Sequence, residues 1–474
     1  MSSFFVENFG CRATQADGAA IERDLIARGL DRASAAFDAS VVILNTCTVT
    51  ASADQDVRAS IRRIHRNNPD AKILVTGCYA QRAPQEIAAL PGVSIVVGNS
   101  HKHELARIVA NSSSDGAPRP NFVSLSQLSA SPSLTNIYVG DIFAHTELLA
   151  APVFDALSEK TRPNLKVQDG CDNRCSFCII PFVRGQSRSL KLDEVIAQTN
   201  QLVDAGYKEV VISGINLGRW GRDLDAPGRK QRFEDLVRAI LDRTSLRRLR
   251  ISSVEPMDWS DELIAVCAAS PRIAKHAHVP MQSGSDRILR KMHRKYRPWH
   301  YAEKLTKIRA AMPTAAIGAD VMVGFPGETD LDFEETRALI EQLPFTYLHV
   351  FTYSSRPGTP SANMPNQVRV EVARERNRIL RELAARKKHE FQQQFLGGTL
   401  SAITLTQQEH GRTEALTGNY QKLWLEGSYP ANQVLDVRVS GIEGDALIGE
   451  IVAEFSATGH PARIETIVTA AVLQ

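Results

Sequence analysis

The chain has 474 residues, of which 43% are hydrophobic and 23% charged, and a formal net charge of +3. That length suits about three domains of ~150 residues with buried cores, and the composition excludes disordered and fibrous classes. The small net charge means that any nucleic-acid binding must depend on local basic patches.

The N-terminal stretch "MSSFFVENFGC" lacks the basic start and apolar core of a signal peptide. No run approaches the ~20 apolar residues of a membrane span, so we expect a cytoplasmic protein without a membrane partner, and a monomer. In that compartment thiols stay reduced, so the 7 cysteines point to metal binding or catalysis rather than to disulfides.

Residues 1–110 alternate β-rich runs such as "ASVVILNTC" and "AKILVTGC" with helical patterns such as "ADQDVRASIRRIHRNN". This α/β alternation predicts a doubly wound parallel sheet covered by helices. Residues 111–155 begin with a stretch rich in Ser and Pro and are predicted to be a linker.

Residues 156–396 resume the alternation with larger units, and a long closing helix is predicted at their end. About six βα units predict a partial TIM-like (βα)6 barrel, in which the chemistry lies on loops at the C-terminal ends of the strands. The six predicted strands are "NLKVQ", "EVVISG", "RLRISS", "HAHVPM", "AIGADVMVGF" and "YLHVFTYS".

Residues 397–474 change to short alternating strands, which predict a small all-β barrel, a common oligonucleotide-binding fold. Basic and aromatic side chains between its strands could neutralise phosphates and stack on bases. A plain packing domain with core aromatics is the alternative. The candidate RNA-binding residues are Arg412, Tyr420, Lys422 and Trp424.

Three of the cysteines, Cys171, Cys175 and Cys178, lie on the loop that follows the first predicted barrel strand. A structural zinc site normally has four ligands, whereas an iron–sulfur cluster held by three thiolates keeps one iron open. The loop resembles the CxxxCxxC signature of the radical S-adenosylmethionine superfamily, with Phe177 as the aromatic before the last cysteine. The resemblance implies a 4Fe–4S cluster that binds and cleaves S-adenosylmethionine; zinc or a chance cluster is the alternative.

Polar residues end several of the other predicted barrel strands. Each such segment alone could be a turn, but together at one end of a barrel they favour a cofactor pocket. The candidates for binding S-adenosylmethionine are Phe177, Ser213, Glu255 and Gln282.

Cys11, Cys47 and Cys78 each follow a predicted parallel strand of the first domain. Loops at the carboxyl ends of such strands face one crevice, so the three thiols are predicted to meet there. Three buried structural cysteines are the alternative. Cys267, in a helical segment, is predicted to be core.

With both triads, the whole chain resembles the methylthiotransferases of the radical S-adenosylmethionine superfamily. This resemblance implies a second, auxiliary 4Fe–4S cluster on Cys11, Cys47 and Cys78, a C-terminal TRAM barrel that binds RNA, and a reducing partner such as flavodoxin or ferredoxin. The motifs "NTCTVT", "VTGCYAQRAP" and "GCDNRCSFCIIP" are most similar to those of the enzymes acting on threonylcarbamoyladenosine in tRNA. The stretch "GCRAT" has Thr14 where the family usually has Asn.

The resemblance implies transfer of a methylthio group to C2 of threonylcarbamoyladenosine beside the anticodon. One S-adenosylmethionine would supply the methyl group, and a second would yield the radical that removes the C2 hydrogen. The sister substrates, isopentenyladenosine in tRNA or a ribosomal protein, are alternatives within the family. A non-enzymatic cluster protein is the alternative from another class, although electron carriers usually provide four ligands per cluster.

Overall fold

The computed structural model describes residues 3–112, 135–144, 161–224, 230–455 and 461–462. Most of the predicted linker and the end of the C-terminal module lie outside these residues. Within them, no helix combines the length and apolarity needed to cross a lipid bilayer.

The N-terminal domain is a parallel sheet with strand order β2-β1-β3-β4-β5-β6, as the sequence predicts. Strand β3 is buried along its whole length because helices cover both faces: Leu44 packs with α2, and Ile43 packs with α1 and α5. Strand β6 lies inside the predicted linker and pairs with β5, so the sheet extends past residue 110. The elements are β1 Ser3–Asn8, α1 Arg12–Ala27, β2 Asp31–Arg32, β3 Val41–Thr46, α2 Ala51–Asn67, β4 Lys72–Gly77, α3 Cys78–Arg82, α4 Pro84–Ala88, β5 Val93–Gly98, α5 Leu105–Ser112 and β6 Asn136–Tyr138.

The central domain contains the six predicted parallel strands, in the order β7-β9-β10 and β11-β12-β13. Single parallel bridges, Leu249 to Ile273 and Ser253 to His278, join the two groups into one curved sheet. The elements are β7 Asn164–Asp169, α6 Ile180–Arg184, β8 Arg188–Ser189, α7 Leu192–Asp204, β9 Glu209–Gly214, α8 Phe233–Arg243, β10 Arg248–Ile251, α9 Asp261–Ala269, β11 His276–His278, α10 Asp286–Lys291, α11 Pro298–Ala311, β12 Ala316–Val323, α12 Asp330–Gln342, β13 Tyr347–Thr352 and α13 Val370–Gln393.

The sheet of the central domain is a partial barrel with two different faces. Alternate residues such as Ile317, Ala319 and Val321 pack outward into the large core beneath the helices. Their neighbours along β12 face the lumen, because successive side chains of a strand point to opposite faces. Cys267 is buried in the outward core, as predicted.

The C-terminal domain is a small antiparallel barrel that is closed by a parallel pairing between β16 and β18. Its core includes Ala316 of the central barrel and Phe391 of α13, so the two domains share a continuous interface. The elements are β14 Thr399–Glu409, β15 Arg412–Thr417, β16 Lys422–Glu426, β17 Val434–Glu443, β18 Ala446–Phe455 and β19 Pro461–Ala462.

Candidate active site at two cysteine triads

The first triad lies on the loop after β7, at the C-terminal mouth of the barrel. The loop is fixed by backbone hydrogen bonds: Cys171 donates to Gly185 (3.0 Å), Ser176 donates to Met292 (3.1 Å) and Cys178 donates to Cys175 (3.1 Å). Gly170, with φ +70°, lies against the backbone of Gln186 where a Cβ atom would clash. The three thiols are therefore held together on a fixed loop.

Burial makes two of these thiols, Cys171 and Cys178, costly to ionise. Desolvation, together with the neighbouring Cys175 and Cys171, raises the pKa of Cys178 to about 12. Desolvation also raises the pKa of Cys171. A cationic metal centre would reverse this, since bound thiolates are stabilised by the metal and release their protons.

Arg294 is a site residue that the sequence analysis missed. It is buried and donates a hydrogen bond to the Cys175 sulfur at 3.3 Å. It also forms an ion pair with Glu255, one of the predicted cofactor residues. Burial opposes its charge, but Tyr296, Glu255 and Cys175 raise the pKa of Arg294 well above its usual range. A permanent cation therefore lies against the triad.

The other predicted cofactor residues lie around the same mouth. Phe177 packs edge-on to Phe325, with 6.5 Å between the ring centroids. Ser213 Oγ, Gln282 Oε1 and Asn216 Oδ1 are buried and have no hydrogen-bond partner in the described part of the chain. Unpaired buried polar atoms are costly, so these atoms suit a polar ligand. Gln282 also adopts a positive φ of 63°, a strained conformation that is common at ligand sites.

The second triad lies at the carboxyl edge of the N-terminal sheet. Cys11 follows β1 and Cys47 follows β3, and strand order reverses between these two neighbours, which is where parallel sheets bind ligands. Cys78 follows the next strand, β4. Gly10, with φ +98°, brings the loops together: a Cβ atom there would lie 2.5 Å from Cys47 Cβ. Desolvation, together with Cys78 and Cys11, raises the pKa of Cys47 to about 12.

Two polar side chains contact the sulfurs of this triad. The Thr14 hydroxyl, at the position where the sequence departs from its family pattern, lies 3.5 Å from Cys11 Sγ. Asn99, which the sequence analysis missed, lies 3.6 Å from Cys78 Sγ and donates to the Val183 carbonyl at 2.7 Å. Thr14 therefore retains a polar contact with the cysteine, and Asn99 links the triad to the central domain.

The thiol spacing decides what each triad can hold. Across the described residues, the only three His, Cys, Asp or Glu side chains with ligand atoms all within 4.8 Å of one another are His278, Asp320 and His349. In each triad, therefore, at least one pair of sulfurs lies more than 4.8 Å apart, whereas the sulfurs around one tetrahedral zinc ion with Zn–S bonds of ~2.3 Å lie ~4 Å apart. The wider spacing fits a polynuclear iron–sulfur cluster better than a single ion.

The two triads lie close together because the N-terminal domain docks on the barrel mouth. Cys78 packs against Ile179, which directly follows Cys178 in sequence, and against Val183 of α6. Beside them, Asp17 of α1 pairs with Lys102 (3.0 Å), Arg184 (3.1 Å) and Lys166. Asp169 at the end of β7 also pairs with Lys166 and Arg184, both at 3.0 Å.

This five-residue group is a buried ionic network that joins the two domains. Burial works against the carboxylate of Asp17, but Lys102, Lys166 and Arg184 outweigh it and lower the pKa of Asp17 to about 2. Arg184 also lies near enough to Cys78 and Cys11 for their charges to raise its own pKa. The network thus places positive charge beside the second triad.

The predicted RNA-binding residues fall into two places. Arg412 and Lys422 lie over the face of Trp424, at 5.7 and 4.4 Å from its centroid, and pair with Glu443 and Glu414. Tyr420 instead contacts the central barrel, with its ring centroid 4.5 Å from that of His276. Arg412, Lys422 and Trp424 thus form one group on the C-terminal domain, and Tyr420 lies apart from them at the contact with the central barrel.

The fold and the cysteine loop define a radical S-adenosylmethionine enzyme. Residues 165–340 match the radical SAM superfamily and residues 3–98 match "Uncharacterized protein family UPF0004". The structure resembles the radical S-adenosylmethionine methyltransferase TsrM from Kitasatospora setae, with a TM-score of 0.54 and 16% identity over 79% of this chain and 76% of that one. This likeness concerns the fold.

Two relatives identify the family within that class. The threonylcarbamoyladenosine tRNA methylthiotransferase MtaB of Bacillus subtilis (strain 168) is 38% identical, over 90% of this chain and 91% of the relative. The tRNA-2-methylthio-N(6)-dimethylallyladenosine synthase of Erythrobacter litoralis is 31% identical, over 96% of this chain and 98% of the relative. The chain belongs to the radical S-adenosylmethionine methylthiotransferases, a family of transferases. S-adenosylmethionine and a 4Fe–4S cluster are accordingly its cofactors.

Proposed function

We propose that this enzyme adds a methylthio group to C2 of threonylcarbamoyladenosine next to the anticodon of tRNA. The carrying observation is the pair of cysteine triads that meet where the N-terminal domain docks on the barrel mouth. Several relatives named for this substrate, at 30–38% identity over most of the chain, support the substrate assignment.

Each triad would hold one cluster. Cys171, Cys175 and Cys178 would bind the radical cluster, and Cys11, Cys47 and Cys78 the auxiliary cluster. When bound, S-adenosylmethionine and the clusters supply the methyl group and the carbon radical that removes an inert aromatic hydrogen.

The protein's part is to bind, orient and exclude water. Ser213 and Gln282 would satisfy their buried polar atoms on S-adenosylmethionine. Arg294 would hold Glu255 in place and stabilise the thiolate of Cys175. Phe177, packed on Phe325, would cover the radical loop from inside the barrel.

The target base must leave its stack to reach this site, as enzymes that act on bases in RNA generally require. The C-terminal barrel would hold the RNA through Arg412, Lys422 and Trp424. Tyr420 would act at the barrel floor rather than on exposed RNA, because its ring packs there. We further propose a monomer that works in the cytoplasm with flavodoxin or ferredoxin as reductant.

The second candidate substrate is isopentenyladenosine in tRNA, favoured by the relatives that are named for its dimethylallyl form. Mass spectrometry of tRNA nucleosides from cells with and without the gene separates the two. Loss of the methylthio derivative of threonylcarbamoyladenosine alone would support the proposal. Loss of the isopentenyl derivative instead, or of neither, would refute it.

A further inference from the structure

A polar layer crosses the lumen of the barrel below the cysteine loop, and neither the cysteines nor the cofactor residues account for it. Strand register places Asp320 beside His349, and Gly318 beside both His278 and Tyr347. The next layer toward the mouth, Met322 beside Phe351, is apolar and packs with Phe177. Two residues of a strand separate these layers, a rise of ~6.6 Å.

The layer is organised around the carboxylate of Asp320. His278 Nε2 lies 3.2 Å from one carboxylate oxygen and His349 Nδ1 lies 3.4 Å from the other. Burial works against this carboxylate, yet the two imidazoles hold the pKa of Asp320 well below its usual range. Asp320 is therefore a fixed anion in the lumen.

The rest of the layer is prearranged by the Tyr347 hydroxyl. It lies 3.0 Å from His278 Nδ1 and 2.7 Å from His276 Nε2. With His278 Nε2 donating to Asp320, His278 Nδ1 accepts from Tyr347, which in turn accepts from His276. Gly318 is required here because a Cβ atom would lie inside the Tyr347 ring.

The layer faces open space. The Asp320 side chain is 30% exposed, although its neighbours Gly318 and Met322 on the same face of β12 are buried, and the His349 side chain is 60% exposed. Hydrogen-bonding capacity therefore remains for a ligand in the lumen.

A cation faces the same layer from the N-terminal domain. Arg12 directly follows Cys11, and its carbonyl accepts a hydrogen bond from Asn164 of β7 at 2.9 Å. Burial raises the pKa of Tyr347, Tyr420 and Asp320 add to this, and Arg250 and Arg12 oppose it, so Asp320 and both guanidinium groups lie near that hydroxyl. Arg250 is already paired with Glu209. Within the described ranges, the Arg12 side chain makes no hydrogen bond or ion pair.

We propose that this layer, with Arg12, binds the N6 substituent of the target adenosine and sets the choice among substrates. The inference rests on the proposed function. C2 and C6 flank N1 of adenine, so a base whose C2 faces the mouth directs its C6 substituent down into the lumen. Asp320 would accept from the carbamoyl N–H groups, and Arg12 would pair with the threonyl carboxylate.

The chemistry of the layer fits this substituent better than an isopentenyl group. An isopentenyl chain offers neither a donor for Asp320 nor an anion for Arg12 and would leave both unpaired on burial. Sites built to hydrogen-bond a substrate group reject analogues that lack it. The layer thus favours threonylcarbamoyladenosine by pairing with its substituent, and disfavours isopentenyladenosine because Asp320 and Arg12 would be buried without partners.

The test uses the full-length enzyme with reconstituted clusters and three anticodon stem-loop RNAs. These carry threonylcarbamoyladenosine, its threonyl methyl ester, or isopentenyladenosine. Wild type should prefer the RNA with free threonylcarbamoyladenosine (the acid) over the RNA with its methyl ester (the ester) by ~10–100-fold in kcat/KM. This is the range expected for a charge-assisted hydrogen bond. Arg12→Gln should abolish that preference by slowing reaction of the acid alone, whereas Asp320→Asn should slow the acid and the ester equally.

Arg23→Gln, on the exposed side of the same helix, is the matched control and should keep the preference. The acid-to-ester ratio is insensitive to partial cluster loading, which would lower both rates together. An unchanged ratio in Arg12→Gln would overturn the inference and leave the proposed function standing. Stoichiometric zinc in wild type that is lost in Asp320→Asn, with the acid preference intact, would also overturn it. If wild type modifies no threonylcarbamoyladenosine RNA, the proposed function and this inference both fail.

Discussion

Removing the carboxylate of Asp17 is expected to destabilise the docking of the N-terminal domain strongly. Asp17→Asn keeps the side-chain shape but leaves Lys102 with no ion-pair partner among the described residues, and Lys166 and Arg184 with Asp169 alone. Breaking a buried ion pair by removing one partner typically costs about 3–5 kcal/mol. At ~2–4 °C per kcal/mol, the melting temperature of the transition that includes this domain should fall by roughly 6–20 °C.

Calorimetry of the variant beside Asp31→Asn measures this cost. Asp31 is exposed at the edge of the same sheet, so its variant should melt within about 1 °C of wild type. Adding Lys102→Met to Asp17→Asn should recover part of the loss, because one unpaired buried cation disappears. The deficit should also narrow at high pH: burial lowers the pKa of Lys102, and without Asp17 it loses its proton more easily. If Asp17→Asn lowered the melting temperature by less than about 2 °C, the assignment of a tightly coupled network would be refuted.

Three further predictions concern pH, the cysteines and the RNA. The pKa of Asp17 falls from 3.8 to about 2 on folding. Its contribution to stability is therefore complete above pH ~4 and should be lost as pH falls toward 2. If the melting temperature of Asp17→Asn fell as steeply with pH between ~4 and ~2 as that of wild type, this prediction would be contradicted. The reconstituted chain should carry about eight iron atoms, and replacing Cys171, Cys175 and Cys178 with Ala should leave about four; retention of all iron would contradict the ligand assignment. The double variant Arg412→Gln, Lys422→Gln should bind tRNA more weakly. The slope of its log binding constant against log salt concentration should become shallower by the amount expected for the loss of up to about two phosphate contacts. An unchanged slope would remove the proposed role of both residues.

These point substitutions are a cleaner test of RNA binding than deletion of the whole C-terminal domain, residues 397–474. The deletion would expose Ala316 and Phe391, which belong to the shared core. It would also remove the partners of Arg250, which donates to the Thr417 carbonyl at 3.1 Å. Point substitutions leave this interface intact, and their effect can be assigned to the RNA surface.

The sequence predicts the strands of the central barrel and the convergence of each triad. The strands follow from local β-rich runs that end in Gly–Cys or in polar loops. The convergence follows from the rule that parallel strands present their carboxyl ends at one edge of the sheet. The predicted linker was too long, because β6 is a short exposed strand without an apolar run.

The contacts between domains are much harder to predict from the sequence. Arg294 meets Glu255 and Cys175 through a turn at His293, which has a positive φ of 58°, and no periodicity marks such a pair. Lys166 and Asp17 do leave a signal, since each is a charge on an otherwise buried strand or helix face. That signal identifies a buried ion but does not identify its partner. The docking of the Tyr420 ring on His276 is likewise a tertiary contact that the local pattern of basic and aromatic residues does not reveal.

Isotope transfer tests the central claim most directly, namely that this site removes the C2 hydrogen of threonylcarbamoyladenosine in tRNA. The reconstituted enzyme is given S-adenosylmethionine, a reductant and an anticodon stem-loop with deuterium at C2 of that base. The account predicts one deuterium in the 5′-deoxyadenosine that accompanies the methylthio product, and no product from Cys47→Ala although that variant still cleaves S-adenosylmethionine. Methylthio product accompanied only by unlabelled 5′-deoxyadenosine, or full activity in Cys47→Ala, would contradict it.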